Sequence, residues 1–171
     1  SGWKFYFFID KFFRFFKDKE RWKKMKSEFE VFLDTDVYLK HLNGDEDSVL
    51  LKCLSLFDCY TSVINASEVF AKCETKEQEE NAKQSFFGSG VLGIPYKYSH
   101  TIGKLLKDNV NYRDACVMAI LIETKLPIVS FINMKDEYQK ELIERYGIKI
   151  VQPHIIQQYT TPQLIFSNSN F

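Results

Sequence analysis

The sequence predicts an α/β fold, a three-layer α/β/α arrangement around a parallel sheet of four to five strands. Two observations lead there. From Met25 onward, short apolar runs of strand length alternate with helical stretches, and that order demands a parallel sheet covered by helices on both faces. The 171 residues match one domain, and 45% hydrophobic residues are enough to build a core.

Val31-Phe32-Leu33 is a short apolar run ending at Asp34, which suits a buried strand. Asp36 to Leu42 continues as a short helix, and Asn43-Gly44-Asp45 makes a turn. Asp47 to Phe57 reads as a helix through Val49, Leu50, Leu51, Leu54 and Leu56. Cys59 to Ile64 is rich in β-formers and is the second expected strand. Asn65 or Ser67 can cap the next helix, which carries Glu68 at its start. A polar helix from Lys76 to Phe87 closes on Gly88-Ser89-Gly90, and Val91 to Pro95 is the third strand.

Ser99 to Leu106 is a helix, and Tyr112 to Lys125 is the strongest one. Its residues Ala115, Cys116, Met118, Ala119, Ile120 and Ile122 make it apolar almost all round, so it is expected to be buried. Leu126 to Phe131 is the fourth strand, Lys135 to Tyr146 a helix stopped at Gly147, and Ile148 to Val151 a fifth strand before Pro153. Residues 25–153 are the expected domain. Residues 154–171 show no clear period and read as a tail that is mobile or wraps a partner.

Residues 1–24 stand apart as an aromatic extension. Trp3 to Phe16 is broken by Lys4, Asp10, Lys11 and Arg14, so it falls short of the ~18 uninterrupted apolar residues of a membrane span. As a helix it would gather Phe5, Phe8, Ile9, Phe12, Phe13 and Phe16 on one face, suited to a partner or a membrane surface. A blander reading takes it as translated upstream or tag-derived sequence. Glu20-Arg21-Trp22 can be encoded by a purine-rich stretch resembling a bacterial ribosome-binding site, a few codons before Met25.

Lys+Arg and Asp+Glu balance at 23 each, which argues against a protein that holds long duplexes by charge alone. A nuclease stays open, because acidic ligands hide a basic rim in the net count. Cys53, Cys59, Cys73 and Cys116 are scattered without a CxxC pair, so zinc is discounted and reduced core thiols of a cytosolic protein are expected.

Open parallel sheets place their sites at the carboxyl ends of strands. Asp34 lies at the end of the first strand, Glu68 after the second, Asp114 at the opening of the helix before the fourth, and Asn133 after the fourth. Carboxylates beside such apolar neighbours cost desolvation unless a cation compensates. A hard dication with oxygen ligands does so, and Mg²⁺ or Mn²⁺ is the natural choice. Taken one at a time, each acid has a plainer role: Asp34 and Asp114 as helix caps, Glu68 as a partner of a helix dipole. Their coincidence at one sheet edge favours the metal.

Four motifs in order resemble the PIN family. Phe32-Leu33-Asp34-Thr35-Asp36 is similar to its opening motif, Thr61 to Val69 to its second, Arg113 to Ala119 to its third and Pro127 to Asp136 to its fourth. Tyr146-Gly147-Ile148 and Val151-Gln152-Pro153 are similar to its ending, so the resemblance runs from Glu28 to Pro153. It implies a bacterial type II toxin of the VapC kind: a cytoplasmic Mg²⁺- or Mn²⁺-dependent endoribonuclease, dimeric, held inactive by a small antitoxin protein. In that reading Asp34, Glu68 and Asp114 hold the metal, Asn133 completes the catalytic set, and Asp36, Ser130 and Asp136 support it. The fourth motif departs from the pattern, because Ile132 places Asn133 three residues after Ser130 rather than two. Asn133 or Asp136 then supplies the fourth oxygen.

Two rivals remain. Asp34-Thr35-Asp36 after a strand also matches a haloacid dehalogenase-like phosphatase, with Val129-Ser130 as its second motif, yet no late pair of acids follows Ile148 to Val151. A catalytically inactive PIN-like module that binds RNA or protein is the other. For RNA contact the sequence offers Lys40 and Arg113, and beyond them His41, Lys97, Tyr98, His100, Lys104 and Lys107, basic and aromatic residues that suit single strands.

Overall fold

Alternation within the first strand sets both outer layers. In β1 (Glu30–Leu33) Val31, Phe32 and Leu33 are all fully buried, which in a strand requires cover on both faces. Val31 and Leu33 enter one apolar cluster and Phe32 another. The computed structural model describes residues 29–132 and 137–158. Expectations that fall on residues 1–24, Asn133, Lys135, Asp136 and 159–171 lie outside the described residues.

After β1 come α1 (Thr35–Leu42), α2 (Val49–Leu56), β2 (Asp58–Ser62), α3 (Val63–Ala71), α4 (Lys76–Ser85) and β3 (Ser89–Leu92). A short 3-10 turn at Tyr96–Tyr98 leads to α5 (Ser99–Lys107), α6 (Tyr112–Thr124), β4 (Ile128–Val129), α7 (Glu137–Tyr146), β5 (Ile150–Val151) and α8 (Pro153–Gln158). The strands form one parallel sheet in the order β3-β2-β1-β4-β5.

Register carries the alternation of β1 across the sheet. Val31 pairs with Cys59, Leu33 with Val129, and Val129 with Val151, all in the first cluster with Tyr38 of α1, Leu50 and Leu54 of α2, and Ile156 of α8. Phe32 pairs with Tyr60 and Ile128, and Ile128 with Ile150, and these face Val117, Ile120 and Leu121 of α6. A further cluster joins α5, α6 and Leu142 of α7 on that second side. The expected α/β/α layering is therefore present, with five parallel strands among the described residues.

Several boundaries differ from the sequence reading. β2 stops at Ser62, because the Ser62 hydroxyl accepts a hydrogen bond from the Asn65 amide and starts α3 there. Neither Asn65 nor Ser67 is the cap. β3 begins at Ser89 rather than Val91: Gly90 pairs with Tyr60, and a Cβ at Gly90 would lie 2.7 Å from the Tyr60 ring, so only glycine lets the strand approach. The stretch after Pro153 opens with a helix, α8, whose Ile156 is fully buried and whose Gln157 carbonyl accepts from Lys52 Nζ of α2 at 2.9 Å.

Cys53, Cys59 and Cys116 are buried and Cys73 half-buried, all as free thiols. Among the described residues, no helix is long and apolar enough to cross a membrane.

Candidate functional site

From β1 the chain moves outward to β2 and β3, then returns across the sheet to β4 and β5 on the other side. Connections leaving the ends of β1 and β4 thus diverge, and such a switch point opens a crevice at the carboxyl edge of the sheet. Asp34 follows β1 and Ser130 follows β4, so both stand at that crevice. The Ser130 hydroxyl donates to Asp34 Oδ2 at 2.7 Å, bridging it.

Asp34 is anchored from several elements. It is the N-cap of α1, its Oδ1 accepting from the Thr35 amide at 2.8 Å. Asn65 Nδ2 of α3 donates to the same oxygen at 3.1 Å and to Thr35 Oγ1 at 3.0 Å. Asn65 is fully buried, and the Ser62 hydroxyl fixes it from the other side through Asn65 Oδ1 at 2.5 Å. This amide was absent from the sequence-derived site. A polar residue facing the core just after a strand end was the available signal, but it reads equally as a cap.

Asp36 lies one step further along α1. Its Oδ2 accepts from the Phe131 amide at 3.0 Å, while the Ser130 hydroxyl, committed to Asp34, stays at 3.5 Å. Asp36 Oδ1 is buried and has no hydrogen-bond partner among the described residues. Burial, and then the neighbouring Asp34 charge, push the Asp36 carboxyl up to about 6.

Glu68 and Asp114 come from α3 and α6. Glu68 sits in the second turn of α3, not at its start, so the positive end of that helix does not account for it. Asp114 lies in the first turn of α6, where Asn111 caps the helix: the Asp114 amide donates to Asn111 Oδ1, and Asn111 Nδ2 donates to Asp114 Oδ2 at 2.5 Å. The cap is thus Asn111 and not Asp114, whose Oδ1 is left to bond Arg113.

One side chain joins three of these acids, Asp34, Glu68 and Asp114. Arg113 Nε donates to Glu68 Oε1 at 2.8 Å, Nη1 to Asp114 Oδ1 at 2.9 Å, and Nη2 reaches Asp34 Oδ1 at 3.5 Å and Thr35 Oγ1 at 3.4 Å. The two short contacts are charge-assisted bonds; the longer two are weak. Partial burial alone would lower the Arg113 pKa, but the bonds to Glu68 and Asp114, with the charge of Asp34, raise it above its usual value. Asp34, Glu68 and Asp114 therefore meet around one cationic group. Among the described residues no set of three His, Cys, Asp or Glu closes on a single point; the group that Asp34, Glu68 and Asp114 share is the Arg113 guanidinium.

Lys40 is exposed, its Nζ 4.2 Å from the Phe131 ring centroid. His41 is half-buried and bonded to Ser48 Oγ at 2.8 Å, which caps α2, and burial lowers its pKa. Tyr98 packs into the core clusters beside α6. Lys97, His100, Lys104 and Lys107 are exposed, and among the described residues none bonds to the carboxylates. A cleft of about 190 Å³ opens beside the acids, lined by Asp34, Arg113, Asp114 and Ser130 together with apolar residues such as Val117 and Leu142.

No family model and no curated protein matches the chain. Solved structures do. A chain of VapBC2 from Rickettsia felis, bound to a DNA fragment from their promoter, is 14% identical with a TM-score of 0.57, covering 72% of this chain and 98% of that one. A toxin–antitoxin complex from Klebsiella pneumoniae supplies a second, 17% identical at 0.53, over 62% of this chain and 88% of that one. VapBC-1 from nontypeable Haemophilus influenzae supplies a third, 14% identical at 0.54, over 74% and 99%. The chain thus has the PIN-like α/β/α fold expected from its motifs. Chains of toxin–antitoxin complexes share that fold.

Proposed function

We propose that this protein is a divalent-metal-dependent endoribonuclease, the toxin of a type II toxin–antitoxin pair acting in the cytoplasm. The observation that carries the reading is the meeting of the Asp34, Glu68 and Asp114 carboxylates at the switch point of a PIN-like sheet. The ordered motifs support it, as does the fold shared with chains of toxin–antitoxin complexes.

The donor chemistry fits Mg²⁺ or Mn²⁺. The set is oxygen-only, and Asp36 Oδ1 beside it is buried without a partner among the described residues. When bound, the ion supplies neutralisation of charge building on a phosphodiester and activation of water. Asp34, Glu68 and Asp114 hold it, and Asn133 or Asp136 completes the set. Asn65 and Ser130 orient Asp34 for that task, so Ser130 is a positioning residue. Asp36 keeps the Phe131 amide, and with it the end of β4, in place. Lys40 and Arg113 meet the backbone of single-stranded RNA, with Phe131 beneath Lys40 as an aromatic surface. The cleft, lined in part by Val117 and Leu142, suits an apolar segment of a small antitoxin, and a homodimer is the expected assembly of the active protein.

Single-stranded RNA incubated with the full chain and Mn²⁺ should be cleaved, and EDTA should stop it. Full activity in EDTA would remove the metal from the mechanism. RNA binding without cleavage in Mn²⁺ would instead favour the inactive binding module.

A further inference from the structure

We propose that Arg113 is an internal counter-ion that competes with a divalent cation for Asp34, Glu68 and Asp114, giving the domain its own brake on metal loading. This rests on the metal site proposed above. The guanidinium divides its donors among all three acids rather than pairing with one: Nε to Glu68, Nη1 to Asp114, Nη2 towards Asp34. An arginine recruited to anchor a helix would commonly form a two-pronged bond with a single carboxylate. Here the fork is spread over the whole proposed ligand set.

Occupancy of that position is in conflict with metal binding. Mg²⁺ draws oxygen ligands to about 2.0–2.1 Å, so Glu68 and Asp114 must close on a common point. They cannot do so while a planar guanidinium stands between them at 2.8 and 2.9 Å. Asp114 already commits Oδ2 to Asn111 and Oδ1 to Arg113. Asp34 likewise commits Oδ2 to Ser130 and Oδ1 to Thr35 and Asn65. The bonds from Asn111, Ser130 and Asn65 come from short side chains fixed by their own elements. The bonds from Arg113 come from a long side chain that is 38% exposed, so once they break the guanidinium has solvent to move into.

Charge sets the direction of the effect. One guanidinium offsets part of the repulsion among three carboxylates and stabilises them without metal. A dication offsets more, but only after that guanidinium has left, so metal binding carries the cost of breaking the Arg113 bonds. The opposite role is a scaffold, in which Arg113 holds the acids ready for the ion and its loss weakens binding.

Titrating Mn²⁺ alone into metal-free full-length protein, by calorimetry, separates the two. Arg113→Ala should bind Mn²⁺ on the order of tenfold more tightly than wild type, with Arg113→Lys between them because an ammonium is a point charge rather than a fork. Without metal Arg113→Ala should melt lower, and saturating Mn²⁺ should raise its melting temperature by more than it raises that of wild type. Equal or weaker Mn²⁺ binding by both variants, or by folded Arg113→Lys if the alanine variant does not fold, overturns the brake while leaving the metal site standing. No Mn²⁺ binding by any of the three chains overturns the metal site and the brake together.

Discussion

Asp34 and Glu68 are carboxylates at the same sheet edge, yet they are held in opposite ways. Asp34 has a side chain 14% exposed and takes bonds from α1, α3 and the end of β4. Glu68, with a side chain 39% exposed, relies on Arg113 for its short bond, and Asp114 at 37% shares that partner. Burial explains the contrast. A buried carboxylate must have its oxygens satisfied by the protein, which fixes its geometry. A half-exposed one can trade a protein donor for water or an ion at small cost. The cluster therefore has one rigid member, Asp34, and one adjustable member, Glu68, with Asp114 between them: Asn111 fixes its Oδ2 and Arg113 alone meets its Oδ1.

Chemistry should be most sensitive at the rigid member. Asp34→Asn is expected to lower Mn²⁺-dependent RNA cleavage on the order of a hundredfold or more, since several kcal/mol of transition-state charge stabilisation depend on the ion it holds. The comparison breaks if Glu68→Gln costs far more activity than Asp34→Asn in protein of equal stability.

Stability should divide the same way. Asn65→Ala strips a buried bond from both Asp34 and Thr35 and is expected to cost about 1–3 kcal/mol. Arg113→Ala removes part-exposed contacts and should cost no more than about 1 kcal/mol in metal-free protein. Urea midpoints in EDTA measure both, and a reversal of that order would show that the exposed half carries the fold.

A smaller effect concerns Asp36, which shares the buried side with Asp34. An acid whose folded value of about 6 lies above its ordinary 3.8 favours the folded state while protonated. Its contribution is complete below the unfolded value and is lost as pH rises through 6. In EDTA, stability of the wild type should therefore fall between pH 4 and 6 relative to Asp36→Asn, which does not titrate. Parallel pH profiles for the two proteins would mean that Asp36 is not desolvated.

The least effect is expected from removing residues 1–24. A chain beginning at Met25 retains β1 and both halves of the cluster, so its melting temperature, oligomeric state and cleavage should match those of the full chain. Failure of the short chain to fold would make the aromatic segment part of the core.

Much of this organisation is legible in the chain itself. Val31-Phe32-Leu33 announces a doubly covered strand because no polar residue interrupts it, and a parallel order follows from helices lying between strands. Asp34 is legible for the same reason, as the first charge after that run. Local patterns cannot report contacts between distant segments. Gly90 reads as a turn until the Tyr60 ring lies against it. Ile156 reads as tail until it is buried beside α2. Asn65 reads as a cap until it reaches across 31 residues to Asp34. Arg113 is the sharpest case. In the sequence it is a cation beside Asp114, available for RNA; only the packing of α6 against α3 and the end of β1 brings Glu68 and Asp34 to its other nitrogens. Periodicity and residue type determined the layers and which acids lie near one edge, because those depend on burial along a single element. Which donor each acid meets was decided by tertiary structure, because hydrogen bonds and ion pairs act over a few ångströms between segments whose separation in sequence carries no record of their distance in space.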